Sequence, residues 1–193
     1  MAATRQVRIG MWAVVLALAT ALIVGVSPAG AQIFEKGRFS EEFRFTYDDC
    51  GFEVSVVRTE QGRYRIRQGT GKTASAFFFQ ATFSYREVHT NTETGEWFVV
   101  RGRAVFNEVK ARRVSGTIFK FVAIEAGQPF VVENSAGEVV MRDRGVIRYT
   151  ILFDTQGDNV PGGVEIEFLG ADVRGPHPGF DADFCEIASD LIG

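Results

Sequence analysis

The sequence predicts an all-β domain with one short C-terminal helix, and two observations carry that prediction. Apolar residues recur at every second position in window after window, as in Phe77, Phe79, Ala81, Phe83 and Tyr85. That is the period of a strand with one buried face. Turn-forming residues punctuate the windows, as in Asp48-Asp49-Cys50-Gly51 and Asn134-Ser135-Ala136-Gly137. A period near 3.6 occurs only at the end, where Asp181 would cap a helix carrying Phe184, Ile187, Ala188 and Leu191 on one side. Eight to ten antiparallel strands must close or stack to hide their edges. An antiparallel β-barrel is the preferred form because the central strands are long, and a β-sandwich is the second choice.

From the N-terminal side, Gln32 to Arg38 reads as a frayed lead-in, and Phe43, Phe45 and Tyr47 begin the first strand. Phe52, Val54 and Val56 form the second. Glu60-Gln61-Gly62 reads as a turn, leading into a strand through Tyr64 and Ile66. Residues 76–89 and 96–109 read as the arms of one hairpin, joined through Thr90 to Gly95. Phe77, Phe79, Ala81, Phe83 and Tyr85 of the first arm should face inward with Phe98, Val100, Gly102, Ala104 and Phe106 of the second. Phe78, Gln80, Thr82, Ser84 and Arg86 should face water. Lys110 to Arg113 reads as a basic turn before a strand over residues 114–125, and Gln128-Pro129 breaks the chain before the next strand. Short strands should cover 130–133 and 138–141, with longer ones over 145–153 and around Val164 to Phe168.

Residues 1–31 read as a secretory signal. Arg5 and Arg8 precede an apolar run from Met11 to Val26, and Ala29-Gly30-Ala31 supplies the small residues of a cleavage site after Ala31. The run would reach only ~24 Å as a helix, against ~30 Å of hydrocarbon, so no stable membrane anchor is expected. Residues 32–193 then form a single secreted β-domain, extracellular or in the cell-wall space. Cleavage removes two of 21 basic residues and none of 24 acidic ones, leaving 19 against 24 and a net charge of −5. An acidic chain of this kind is a poor nucleic-acid binder. Cys50 and Cys185 are the only cysteines, and in an oxidising compartment they should form one disulfide.

No motif assigns catalysis, a cofactor or a metal. His89 and His177 are the only histidines and the only neutral-pH bases on offer, with no metal-ligand spacing around them. Asp154 and Asp158 share a polar loop with Gly157 and Asn159, a composition calcium uses, but without EF-hand spacing. Glu87 and Glu108, if brought face to face near the open end of the hairpin, would resemble a glycosidase pair. Gly69-Thr70-Gly71-Lys72-Thr73 lacks the first glycine of a phosphate loop, since Ile66 stands there. The basic residues Arg86, Arg101, Arg103, Lys110, Arg112 and Arg113 read as a solvated sheet face.

The runs Arg86-Glu87-Val88-His89-Thr90-Asn91 and Gly95-Glu96-Trp97-Phe98 resemble an uncharacterised family of secreted actinobacterial proteins. The stretches from Phe121 to Phe130 and from Phe153 to Asp158 share the likeness. The resemblance implies secretion and one domain, and it brings no known activity. With 18 phenylalanines and no nucleophile motif, the favoured function is a non-catalytic domain that binds a small apolar or amphipathic ligand. One alternative is a protein-interaction or structural domain with an unknown protein partner. Another is a small barrel hydrolase or isomerase using a histidine–carboxylate pair. A large apolar pocket would favour the first, and a solid core with an exposed apolar patch the second.

Overall fold

The computed structural model describes residues 33–193, so the signal and its cleavage point lie outside the described residues. Among the described residues, eight strands and one α-helix follow in order: β1 (Ile33–Tyr47), β2 (Val54–Gln68), β3 (Phe77–Asn91), β4 (Trp97–Ser115), β5 (Ile118–Glu133), β6 (Val139–Arg142), β7 (Gly145–Asp154), β8 (Val164–Arg174) and α1 (Phe184–Ile192). All eight strands belong to one antiparallel sheet in the order β1-β2-β3-β4-β5-β7-β8, with β6 beside the far end of β5. The all-β class and the C-terminal helix agree with the sequence. The sheet is open, with β1 and β8 as its two edges.

Several strands run longer than their local signals suggest. The lead-in is strand, paired from Ile33 opposite Arg67. No turn forms at Glu60-Gln61-Gly62, where β2 runs straight through. Gly62 instead makes room for a ring: a Cβ there would lie 2.6 Å from the Phe39 ring opposite. Gly37 lies under the Tyr64 ring and Gly102 under the Tyr85 ring in the same way, each paired directly across the ladder. Aromatic side chains laid over glycine recover packing that a bare backbone would lose. The basic segment 110–113 is likewise strand, and the chain turns only after Ser115, at Gly116 with φ 49°. A shift of register between Glu108 and Lys110 absorbs an extra residue there.

The hairpin of β3 and β4 forms with Phe83 opposite Ala104 and Tyr85 opposite Gly102, so the two predicted inner faces coincide. Phe98, Val100, Ala104 and Phe106 are buried as expected, while Phe83 is only half-buried. Phe78 departs from its assigned wet face. Pairing between β3 and β4 stops at Gln80 opposite Asn107, and Phe78 lies buried against Phe121 of β5, ring centroids 5.8 Å apart. Period-two reasoning assumes a continuous ladder, and here the ladder ends.

The core lies in two clusters. One joins Val54, Val56, Phe98, Val100 and Val132 to Ala188 and Ile192 of α1. The other joins Ala76, Phe78, Phe119, Phe121 and Ile151. The helix is capped by Asp183, not Asp181: the Asp183 carboxylate accepts the Cys185 N–H at 2.8 Å. Cys50 and Cys185 are disulfide-bonded, with Cα atoms 4.9 Å apart, which pins α1 to the β1–β2 turn. The Asn91 side-chain amide donates to the Ile192 carbonyl at 2.7 Å and fixes the far end of the helix.

Candidate functional site

The inner parity of β2 reads Val54, Val56, Arg58, Glu60, and that of β3 reads Tyr85, Glu87, His89, Asn91. The same alternation that buries valines therefore carries charged residues onto the apolar face. Arg58 lies opposite Glu87, and Val56 lies opposite His89. A chain of contacts results. The Tyr47 hydroxyl is 3.3 Å from His89 Nδ1, and His89 Nε2 is 3.0 Å from Glu87 Oε2. Arg58 Nη1 donates to Glu87 Oε1 at 2.5 Å, and its Nε and Nη2 donate to Glu60 Oε2 at 3.0 and 2.6 Å. The Arg58 guanidinium sits 4.4 Å from the centre of the Tyr85 ring, whose hydroxyl donates to the Pro129 carbonyl at 2.8 Å.

Each link explains the next. Ionised Glu87 can only accept, so Nε2 of His89 carries a proton toward it, and Nδ1 is the ring nitrogen that faces the Tyr47 hydroxyl. Burial alone would raise the Glu87 carboxyl. The bonds and charges of His89 and Arg58 outweigh it and hold the carboxyl below the usual range. Burial, with the Glu87 charge added, pushes the Tyr47 and Tyr85 hydroxyls up, so both stay protonated. His89 stacks on Phe98 at 4.7 Å with the rings 12° from parallel, and Phe184 of α1 approaches at 5.5 Å from His89 and 6.1 Å from Phe98.

His177 is not part of this chain. It sits at the start of the turn before α1, buried, with Nδ1 3.6 Å from Asp143 Oδ2. Neither of its ring nitrogens makes a hydrogen bond. The Asp143 carboxylate accepts the Gly179 N–H at 2.8 Å instead. Glu125, facing the same region, accepts the Tyr149 hydroxyl at 2.9 Å. Burial pushes the Glu125 carboxyl up, with the Tyr149 bond and nearby His177 working against it. The two histidines thus stand in separate polar groups.

The remaining sequence candidates do not assemble. Asp154 Oδ1 accepts the Gln156 N–H at 2.8 Å, and Asp158 Oδ1 accepts the Val160 N–H at 3.0 Å, so both carboxylates fold back on their own loop. Among the described residues no three histidine, cysteine or acidic side chains come together as metal ligands. Glu87 and Glu108 do not face one another. Glu87 lies opposite Val100, whereas Glu108 Oε2 accepts the Phe79 N–H at 2.6 Å, eight residues or about 27 Å along β3. Burial pushes the Glu108 carboxyl up to about 7.

Sequence reasoning misses Arg58, Glu60, Tyr47, Glu125, Tyr149 and Asp143. One signal is there to find: a charged residue in the slot where the period-two pattern demands an apolar one, as at Arg58 and Glu87. Two shallow depressions indent the surface, one of about 180 Å³ beside Arg67, Thr70 and Phe78, the other of about 400 Å³ beside Arg148, Leu169 and Asp172. Neither includes His89 or His177. No described helix is long and apolar enough to cross a membrane. No protein-family model, curated protein or solved structure matches the chain at a significant level.

Proposed function

We propose that the chain is a secreted, non-catalytic β-domain that acts by engaging a partner protein through the free edge of its sheet. The observation that carries this is β8. Val164, Ile166, Phe168 and Leu169 are 53, 50, 44 and 41% exposed, four large apolar residues within six positions of a strand paired on one side only. A contiguous apolar patch on a polar surface is the mark of an interaction site.

The other readings have less support. A small apolar ligand needs a concave apolar pocket, and the two depressions are shallow and rimmed by arginine, threonine and aspartate. The His89–Glu87 pair favours a hydrolase or isomerase by its residue types. Yet Glu87 occupies Nε2 and Tyr47 occupies Nδ1, so the ring has no nitrogen left for a substrate. In this reading the Tyr47–His89–Glu87–Arg58 chain is a structural lock.

Native mass spectrometry of the protein secreted by its host is the test. A discrete protein complex, lost in an Ile166→Lys variant that still folds, is expected. A co-purified small molecule with no protein partner would overturn the reading in favour of ligand binding.

A further inference from the structure

The two edges of the sheet differ in ways that specify what the exposed one accepts. On β1, Ile33, Phe34 and Phe45 are also exposed, but Lys36, Arg38, Glu41, Glu42 and Arg44 mix both signs along the edge between them, and Phe39 and Phe43 are half-buried. Mixed charges with a lysine among them are a common guard against strand addition. On β8 the six residues Val164 to Leu169 are all exposed. Phe168 lies opposite buried Ile151 and so projects on the core side of the sheet, while Glu167, opposite Leu152, projects on the other. The register shifts at the next step, and Ile166 is the extra residue between Glu167 and Glu165.

Topology explains why β8 has no partner within its own chain. The path β1-β2-β3-β4-β5-β7-β8 has seven strands, and every neighbour is antiparallel. With an odd number of strands, β1 and β8 run in the same direction. They cannot close on each other by the pairing used everywhere else, whereas one strand antiparallel to β8 continues the pattern. The described chain has no segment to spare, because α1 is pinned by the disulfide and the joining loops are short.

Charge narrows the occupant further. The edge carries Glu165, Glu167 and Asp172 against a single base, Arg174, which lies 3.5 Å from Asp172. Two copies joined β8 to β8 would bring acidic strand against acidic strand. Resting on the partner-binding reading, we infer that β8 takes up a single extended strand of another protein, antiparallel, with apolar residues on the side of Phe168 and basic residues on the side of Glu167. Backbone hydrogen bonds to the free edge would supply affinity, and the alternating side chains would supply choice.

The probe is a blocked ten-residue peptide of alternating valine and lysine, titrated into residues 32–193 with the disulfide intact. Hydrogen exchange by mass spectrometry should show saturable protection of amides 164–169. The variant Glu167→Lys, a change at an exposed position, should weaken binding at least 10-fold. The same variant should bind a valine–glutamate peptide in its place. Binding without amide protection, protection on β1 alone, or no binding would overturn the strand proposal. A β8-mediated dimer that the peptide fails to dissociate would also overturn it, in favour of a second copy. If the native complex is still lost in Ile166→Lys while the peptide gives no protection, the strand proposal falls and the partner-binding reading stands.

Discussion

Glu87 and Glu108 project from neighbouring strands, yet they sit in opposite electrostatic settings at opposite ends of the sheet. At the end covered by α1, Glu87 meets Arg58 and His89 and is held ionised. At the far end, Glu108 is half-buried with one backbone N–H as its hydrogen-bond donor, and its carboxyl rises to about 7. The same contrast runs through the packing. The first end has a helix, a disulfide and a completed polar chain over its valines, and the second packs Phe78, Phe119 and Phe121 with Ala76 and Ile151, without a covering helix or disulfide. A buried carboxylate is tolerated as an ion where partners converge on it, and is driven toward its neutral form where they do not.

Removing the disulfide should test this contrast most severely. Closing a loop of 135 residues contributes about 5 kcal/mol through chain entropy, so Cys50→Ser/Cys185→Ser should lose an amount of that order in denaturant melts. Amide exchange should rise first at Val54, Val56 and Phe98 and later at Phe119 and Phe121. Equal acceleration at both sites would show that the two ends are one cooperative unit.

Phe98→Ala comes next, at about 3–5 kcal/mol, because Phe98 is fully buried and stacks on His89. Glu87→Ala should then cost about 3 kcal/mol, since it strands Arg58 and His89 without their shared partner. The pH dependence carries a definite sign. The Glu87 contribution is present above the unfolded carboxylate value of ~4.3 and is lost as pH falls through its lower folded value.

Glu108→Gln should run the other way. A carboxyl raised to about 7 favours the folded state fully below ~4.3, and that contribution is lost as pH rises through 7. The glutamine keeps an acceptor for the Phe79 N–H and cannot ionise. Urea melts should therefore show a gain of about 1–3 kcal/mol at pH 8 that shrinks toward zero by about pH 4. A gain of equal size at both pH values would mean that burial of the charge is not what limits this end. The smallest effect belongs to Thr82→Ala on the outer face of β3, within about 0.5 kcal/mol by the same melts.

Much of this architecture is legible in the alternation of residues 76–89 and 96–109, which places Phe83 opposite Ala104 and names most of the buried residues on β4. Element ends are harder to read. Gly62 and the basic run 110–113 look like turns, because glycine and clustered charge break strands locally, but ring packing and edge exposure allow both inside long strands. Phe78 escapes the pattern because a ladder's end leaves no trace in the sequence. The disulfide pair is legible because two cysteines permit one pairing. The Arg58–Glu87–His89 chain is half legible. Glu87 and His89 share the parity of Phe83 and Tyr85, but only the ladder between β2 and β3 supplies Arg58.

The disulfide also decides how the molecule would bear a pull. Force applied between Ile33 and Gly193 passes through Cys50–Cys185 and bypasses everything between them. Only β1 with its following turn, and the α1 residues beyond Cys185, can be drawn out. At ~3.5 Å per residue, those segments have a contour length of roughly 90 Å, much of it already extended in β1, before the bond itself carries the load. Such a protein, fixed at one terminus and tugged at the other, would shed its guarded edge β1 first. Strands β2 to β8, with the exposed edge among them, would lie outside the line of tension.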